Sequence, residues 1–74
     1  MSNAKETLDR QFLEMRWRCL SLAADLDRIE RAAGGSDLTT SDNRLRTLRE
    51  AIGVLLTPGV NRAEKVQTIF SDKT

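Results

Sequence analysis

Leu8, Phe12, Met15, Cys19, Leu22, Leu26, Ile29 and Ala33 recur at alternating steps of four and three. A seam of that period keeps one helix face apolar, and it does not fit a strand, whose side chains change face at every residue. No glycine or proline interrupts it, so the pattern predicts a helix from about Thr7 to Ala33. Gly34 and Gly35 follow directly and are read as its stop, because glycine enters left-handed backbone at little steric cost.

From Gly34 to Ser41 the residues are Gly, Ser, Thr and Asp with a single leucine, a composition that reads as a hairpin loop. Ser41, with Thr40 nearly as good, is the expected N-cap of a second helix over about residues 42–57, with Asp42 complementing the macrodipole in its first turn. Its apolar stripe is Leu45, Leu48, Ile52, Leu55 and Leu56. Thr57-Pro58-Gly59 then breaks the chain, since proline disfavours helical backbone in the residue before it. A third helix is expected over about residues 62–70, with Asn61-Arg-Ala-Glu64 as a capping box, Val60 as its staple, and Ala63, Val66, Ile69 and Phe70 as its apolar face. Fraying is expected from Ser71 to Thr74.

Ten leucines and seven alanines against three valines and no tyrosine favour the all-α class. The 74 residues make one small helical domain, 1–74, near the size at which a single core supplies only about 3–5 kcal/mol. The first helix is about as long as the next two together, so the expected architecture is an antiparallel helical hairpin with a broken return arm. With one cysteine and no histidine, neither an internal disulfide nor a zinc site can reinforce it, which leaves association as the ordinary route. Pairing into a four-helix-bundle-like homodimer is the leading expectation, and a monomeric three-helix bundle is the alternative.

The first helix carries a second apolar stripe, Leu13, Trp17, Leu20 and Ala24, more than a third of a turn from the seam. That is too wide an apolar surface for one neighbour. This stripe is the candidate interface, for a second copy or for a heterologous helical partner. Glu6 with Arg10, Glu14 with Arg18 and Asp27 with Arg31 are spaced as i,i+4 pairs in the favourable order.

The chemistry-bearing residues point away from catalysis, so no catalytic, cofactor-binding or metal-ligating residue is assigned. Histidine is absent, and Asp9, Glu14, Asp25, Asp27 and Glu30 lie among arginines at salt-bridge spacing. Cys19 falls on the seam, where a cysteine acts as a small hydrophobe, and is expected to be structural. Gly34-Gly35 lacks the preceding strand and the following Lys-Ser/Thr of a phosphate loop.

Twelve basic and eleven acidic residues give a formal charge of +1, too little to attract a polyanion as a whole. A nucleic-acid-binding regulator built on Arg44, Arg46 and Arg49 is the second reading. It is weakened because Arg44 points away from the other two and no second basic cluster extends the stripe. No apolar run approaches the ~20 residues of a membrane span, and the first residues lack a secretory core, so the cytoplasm is the expected location and no membrane partner is expected. Ser2-Asn3-Ala4 resembles a cloning remnant, although the methionine before it is equally consistent with a native start. The sequence thus predicts a non-enzymatic helical interaction module, a small adaptor, regulator or complex subunit.

Overall fold

The computed structural model describes residues 3–72. They are all-helical, with four helices, α1 (Ala4–Arg31), α2 (Gly35–Ser41), α3 (Asn43–Leu56) and α4 (Arg62–Asp72). They divide into two compact units at the Ala33–Gly34 junction. No helix among them is long and apolar enough to cross a membrane.

The first unit is α1. The side chain of Asn3 accepts from the backbone N–H of Glu6 at 2.9 Å, and the Thr7 N–H bonds the Asn3 carbonyl at 3.0 Å, so the helix starts three residues before the seam pattern predicts. Glu6 in the first turn and Arg28 and Arg31 in the last complement the macrodipole. The helix ends at Ala32, which turns extended (ψ 155) and gives its N–H to the carbonyls of Arg28 and Ile29. Ala33, the last residue of the predicted seam, therefore lies outside α1.

The second unit corrects the expected count of three helices. The segment read as a hairpin loop folds as α2, seven residues long. Gly34 has the left-handed geometry expected of it (φ 82), but it stands at the start of α2 rather than at the stop of α1. The physical reason lies in the hydroxyls. Thr39 donates to the Ser36 carbonyl at 2.7 Å, Thr40 to the Asp37 carbonyl at 3.1 Å and Ser41 to the same carbonyl at 2.8 Å. The local hydrogen bonding that favours turns is used here within a single helical turn. Asp37 favours the N-terminal end, Gly35 is buried, and α2 packs on α3.

Ser41 and Thr40, their hydroxyls turned back into α2, do not cap α3. Asp42 does. Its N–H bonds the Leu38 carbonyl and closes α2, while its carboxylate accepts from the Arg44 N–H at 2.8 Å and opens α3. One residue in extended conformation thus joins two helices.

In α3 the buried residues are Leu45, Thr47 and Ala51, with Leu48, Ile52 and Val54 half-buried. The predicted stripe is right for Leu45, Leu48 and Ile52 and wrong for Leu55 and Leu56, which are exposed. Helix α4 packs on α3 along the edge marked by Val54 and Leu55, and its Val66 and Ile69 are half-buried. Ala51 sits one turn before that edge and Thr47 one turn earlier, small residues that let the helices approach. The Thr47 hydroxyl is satisfied by the Asn43 carbonyl at 2.8 Å, so its burial leaves no orphan polar group.

The break at Thr57-Pro58-Gly59 forms as predicted, with Thr57 extended before the proline (ψ 129). The Arg62 Nε spans it and donates to the Thr57 carbonyl at 2.8 Å. Asn61 takes left-handed backbone (φ 71) instead of the extended geometry of a capping box, and its carbonyl accepts from the Lys65 N–H. Helix α4 continues through Ser71 to Asp72, where fraying was expected; residues 73 and 74 lie outside the described residues.

Candidate functional site

A helix gains most of its stability in a protein by burying an apolar face, because backbone hydrogen bonding alone barely offsets the loss of chain entropy. Helix α1 has 28 residues and none of them is buried. Its predicted interface stands in solvent, with Leu13 70% exposed, Trp17 64% and Leu20 48%, and with Ala24 half-buried. These four side chains share one face and span about 16 Å of helix. The structure therefore places the four together, as helical spacing requires.

The seam is also open. Leu8, Phe12 and Met15 are exposed, whereas Leu22, Leu26 and Ile29 are half-buried. Cys19 is an exposed free thiol, which corrects its expected burial on the seam. The N-terminal half of α1 accordingly presents large apolar side chains on two faces.

Short-range ion pairs flank the apolar faces and extend the stripe at its C-terminal end. Lys5 meets Asp9 at 3.1 Å, Asp25 meets Arg28 at 2.8 Å and Asp27 meets Arg31 at 3.8 Å. The last of these was expected from i,i+4 spacing. Arg28 and Lys5 are partners that the sequence reading did not select, at three- and four-residue separations that helical geometry equally permits. All are solvent-exposed, so each is worth only tenths of a kcal/mol and borders the apolar face more than it holds the helix. Among the described residues, no three of His, Cys, Asp and Glu are grouped to hold a metal ion.

No family model, curated protein or solved structure matches the chain. The functional reading rests on its surfaces alone.

Two other features compete for a role. The first is the arginine cluster, where Arg44 is already engaged: its Nε and Nη2 donate to the Asp42 carboxylate at 3.1 and 3.0 Å. Arg46 and Arg49 are exposed. The Arg44 side chain, with its backbone N–H and the nearby charges of Arg44 and Arg46, lowers the Asp42 pKa from 3.8 to about 2, and Asp42 raises that of Arg44 in return. A carboxyl whose pKa falls on folding contributes stability above its unfolded value and loses it as pH falls through its folded value. The α2–α3 joint should therefore weaken between about pH 4 and pH 2. Asp42→Asn keeps the cap but abolishes the titration and the Arg44 ion pair, so its thermal midpoint is expected to vary less across that window than the wild type's. An unchanged pH dependence in Asp42→Asn would show that other carboxyls control acid unfolding.

The second feature is an open groove along α3 and α4, lined by Leu55, Ala63, Val66 and Phe70. It is apolar but shallow. Their spacing marks these residues as core, and no signal in it separates a half-covered face from a fully covered one.

Proposed function

We propose that the chain is a non-enzymatic protein interaction module whose docking element is α1 and whose partner is a second copy of itself. The observation that carries the proposal is the exposure of Leu13 and Trp17 on a helix without a buried residue. Large apolar groups set in line and rimmed by charge mark association surfaces, and tryptophan is enriched among the residues that dominate binding energy. In such a dimer each copy supplies its α1 to the contact.

The magnitudes set the expected affinity. Full burial of a large apolar side chain contributes about 1.5–3 kcal/mol, and three such side chains from each of two copies give roughly 10 kcal/mol once their partial burial in the free helix is discounted. Association costs about 4–15 kcal/mol in lost freedom. At the low end of that cost the balance is roughly 6 kcal/mol, a dissociation constant of tens of micromolar, so the expected dimer forms in the upper micromolar range and is not an obligate picomolar one.

Trp17 is the only tryptophan in the chain, so it reports on this surface directly. Its emission is expected to shift to shorter wavelength as the protein is concentrated through the micromolar range, and to return on dilution. Emission that stays at the wavelength of water-exposed indole at every concentration would remove the stripe from the interface.

A further inference from the structure

The Leu13-Trp17-Leu20-Ala24 line does not end at its apolar residues. Continued by the same alternating steps, it reaches Arg10 and Glu6 towards the N-terminus and Asp27 and Arg31 towards the C-terminus, all within α1. Eight residues therefore lie on one helical line: Glu6 and Arg10, then the four of the stripe, then Asp27 and Arg31. Its two ends carry opposite orders of charge.

We infer that two copies pair antiparallel along α1, in the register that sets Trp17 of one copy opposite Leu20 of the other. The inference rests on the proposed pairing through the stripe and adds its direction and register. In that register every layer follows: Leu13 faces Ala24 of the second copy, Arg10 faces Asp27, and Glu6 faces Arg31. Each layer occurs twice, as a two-fold axis between residues 18 and 19 requires.

Charge and volume select this arrangement over the parallel one. Side by side and parallel, each residue on the line faces its own copy, so Glu6 meets Glu6, Arg10 meets Arg10, Asp27 meets Asp27 and Arg31 meets Arg31. Four layers then hold like charges, which destabilises helix pairing. Antiparallel, the same four layers hold opposite charges. The intrachain Asp27–Arg31 pair survives and joins Glu6 and Arg10 of the second copy in a cluster of alternating sign. The apolar layers agree. Parallel pairing stacks tryptophan on tryptophan and leaves alanine against alanine, an overfilled layer and an underfilled one on either side of the Leu20 layer. Antiparallel pairing sets a large residue against a large one at the centre, and leucine against alanine on either side.

Cys19 lies roughly 130° round the helix from the middle of this line, so it can be replaced without altering the proposed contact. The test uses two full-length proteins, Arg10→Cys and Asp27→Cys, each also carrying Cys19→Ser. They are mixed under reduction, equilibrated, and oxidised in a glutathione buffer, and the products are separated by mass. Circular dichroism before oxidation checks that both remain helical. The mixed disulfide, which joins position 10 of one protein to position 27 of the other, is expected to exceed either homodisulfide by about tenfold or more, because thiols held opposite each other react at millimolar effective concentration. Homodisulfides in excess, formed by each protein alone, would overturn the inference in favour of parallel pairing. No preference among disulfides, from proteins that sediment as dimers when reduced, would overturn the register and leave the pairing standing. Reduced proteins and wild type that all sediment as monomers would overturn both.

Discussion

Trp17→Glu is expected to convert the dimer into a monomer and to weaken α1. A buried tryptophan contributes on the order of 150–250 Å² of surface, which at about 25 cal/mol per Å² corresponds to ~4–6 kcal/mol when it leaves water completely. Trp17 is already partly covered by its own helix, so roughly two thirds of that is at stake in each copy. Two-fold symmetry counts the loss twice, and the introduced carboxylate must also be desolvated opposite Leu20. Dissociation constants should then rise by about a thousandfold or more. Helical content should fall as well, because a folded form supported by association loses that contribution on dissociation. Trp17→Phe keeps an aromatic anchor and is expected to remain a dimer with a modest loss of affinity. Equal sedimentation of Trp17→Glu and wild type at the same concentration would remove Trp17 from any self-association.

Leu45→Ala should unfold the α2–α4 unit far more readily than any other single apolar truncation in α3. Leu45 is only 9% exposed, and with Ala51 it makes up the buried apolar core of that unit. Deleting a buried leucine costs about 2–5 kcal/mol, most of the ~3–5 kcal/mol that a core of this size supplies. The thermal midpoint should fall by on the order of 10 °C or more. Leu56→Ala is the informative companion. Leu56 is 83% exposed, and it lies roughly 150° round α3 from the edge that α4 covers, so its truncation should change stability by less than about 0.5 kcal/mol. Equal destabilisation by the two substitutions would mean that the α3 packing is wrong.

That contrast shows where the residues of this chain speak for themselves. Leu45 and Leu56 belong to one apolar run, and periodicity alone ranks them together. Both lie more than a third of a turn round α3 from the α4 edge, and only Leu45 is near the Asp42 joint where α2 packs on α3, a tertiary matter that no local pattern carries. The helix of α1 was legible because seven seam positions from Leu8 to Ile29 repeat without a miss, and the break at Pro58 was legible because proline and glycine restrict backbone directly. The start of α1 was not legible because its cap, Asn3, lies before Leu8, the first residue of the apolar period.

Helix α2 was illegible because Gly, Ser, Thr and Asp have low helix propensity, and contact with α3 together with hydroxyls bonding back to the Ser36 and Asp37 carbonyls overrides it. The charge of Asp42 suits a first turn, one position beyond its actual role as the cap of α3. Of the candidate site, the alignment of Leu13, Trp17, Leu20 and Ala24 on one face was readable from spacing. The exposure of the seam and of Cys19 was not, since a heptad pattern reports a face that suits burial and does not say what covers it.

Sedimentation equilibrium of the wild-type chain across the micromolar range tests the central claim most directly. Self-association through α1 predicts a weight-average mass that rises with concentration from 8.3 kDa towards twice that value, and stops there because a two-fold interface closes on itself. A mass that holds at the monomer value up to the highest concentration would contradict the account.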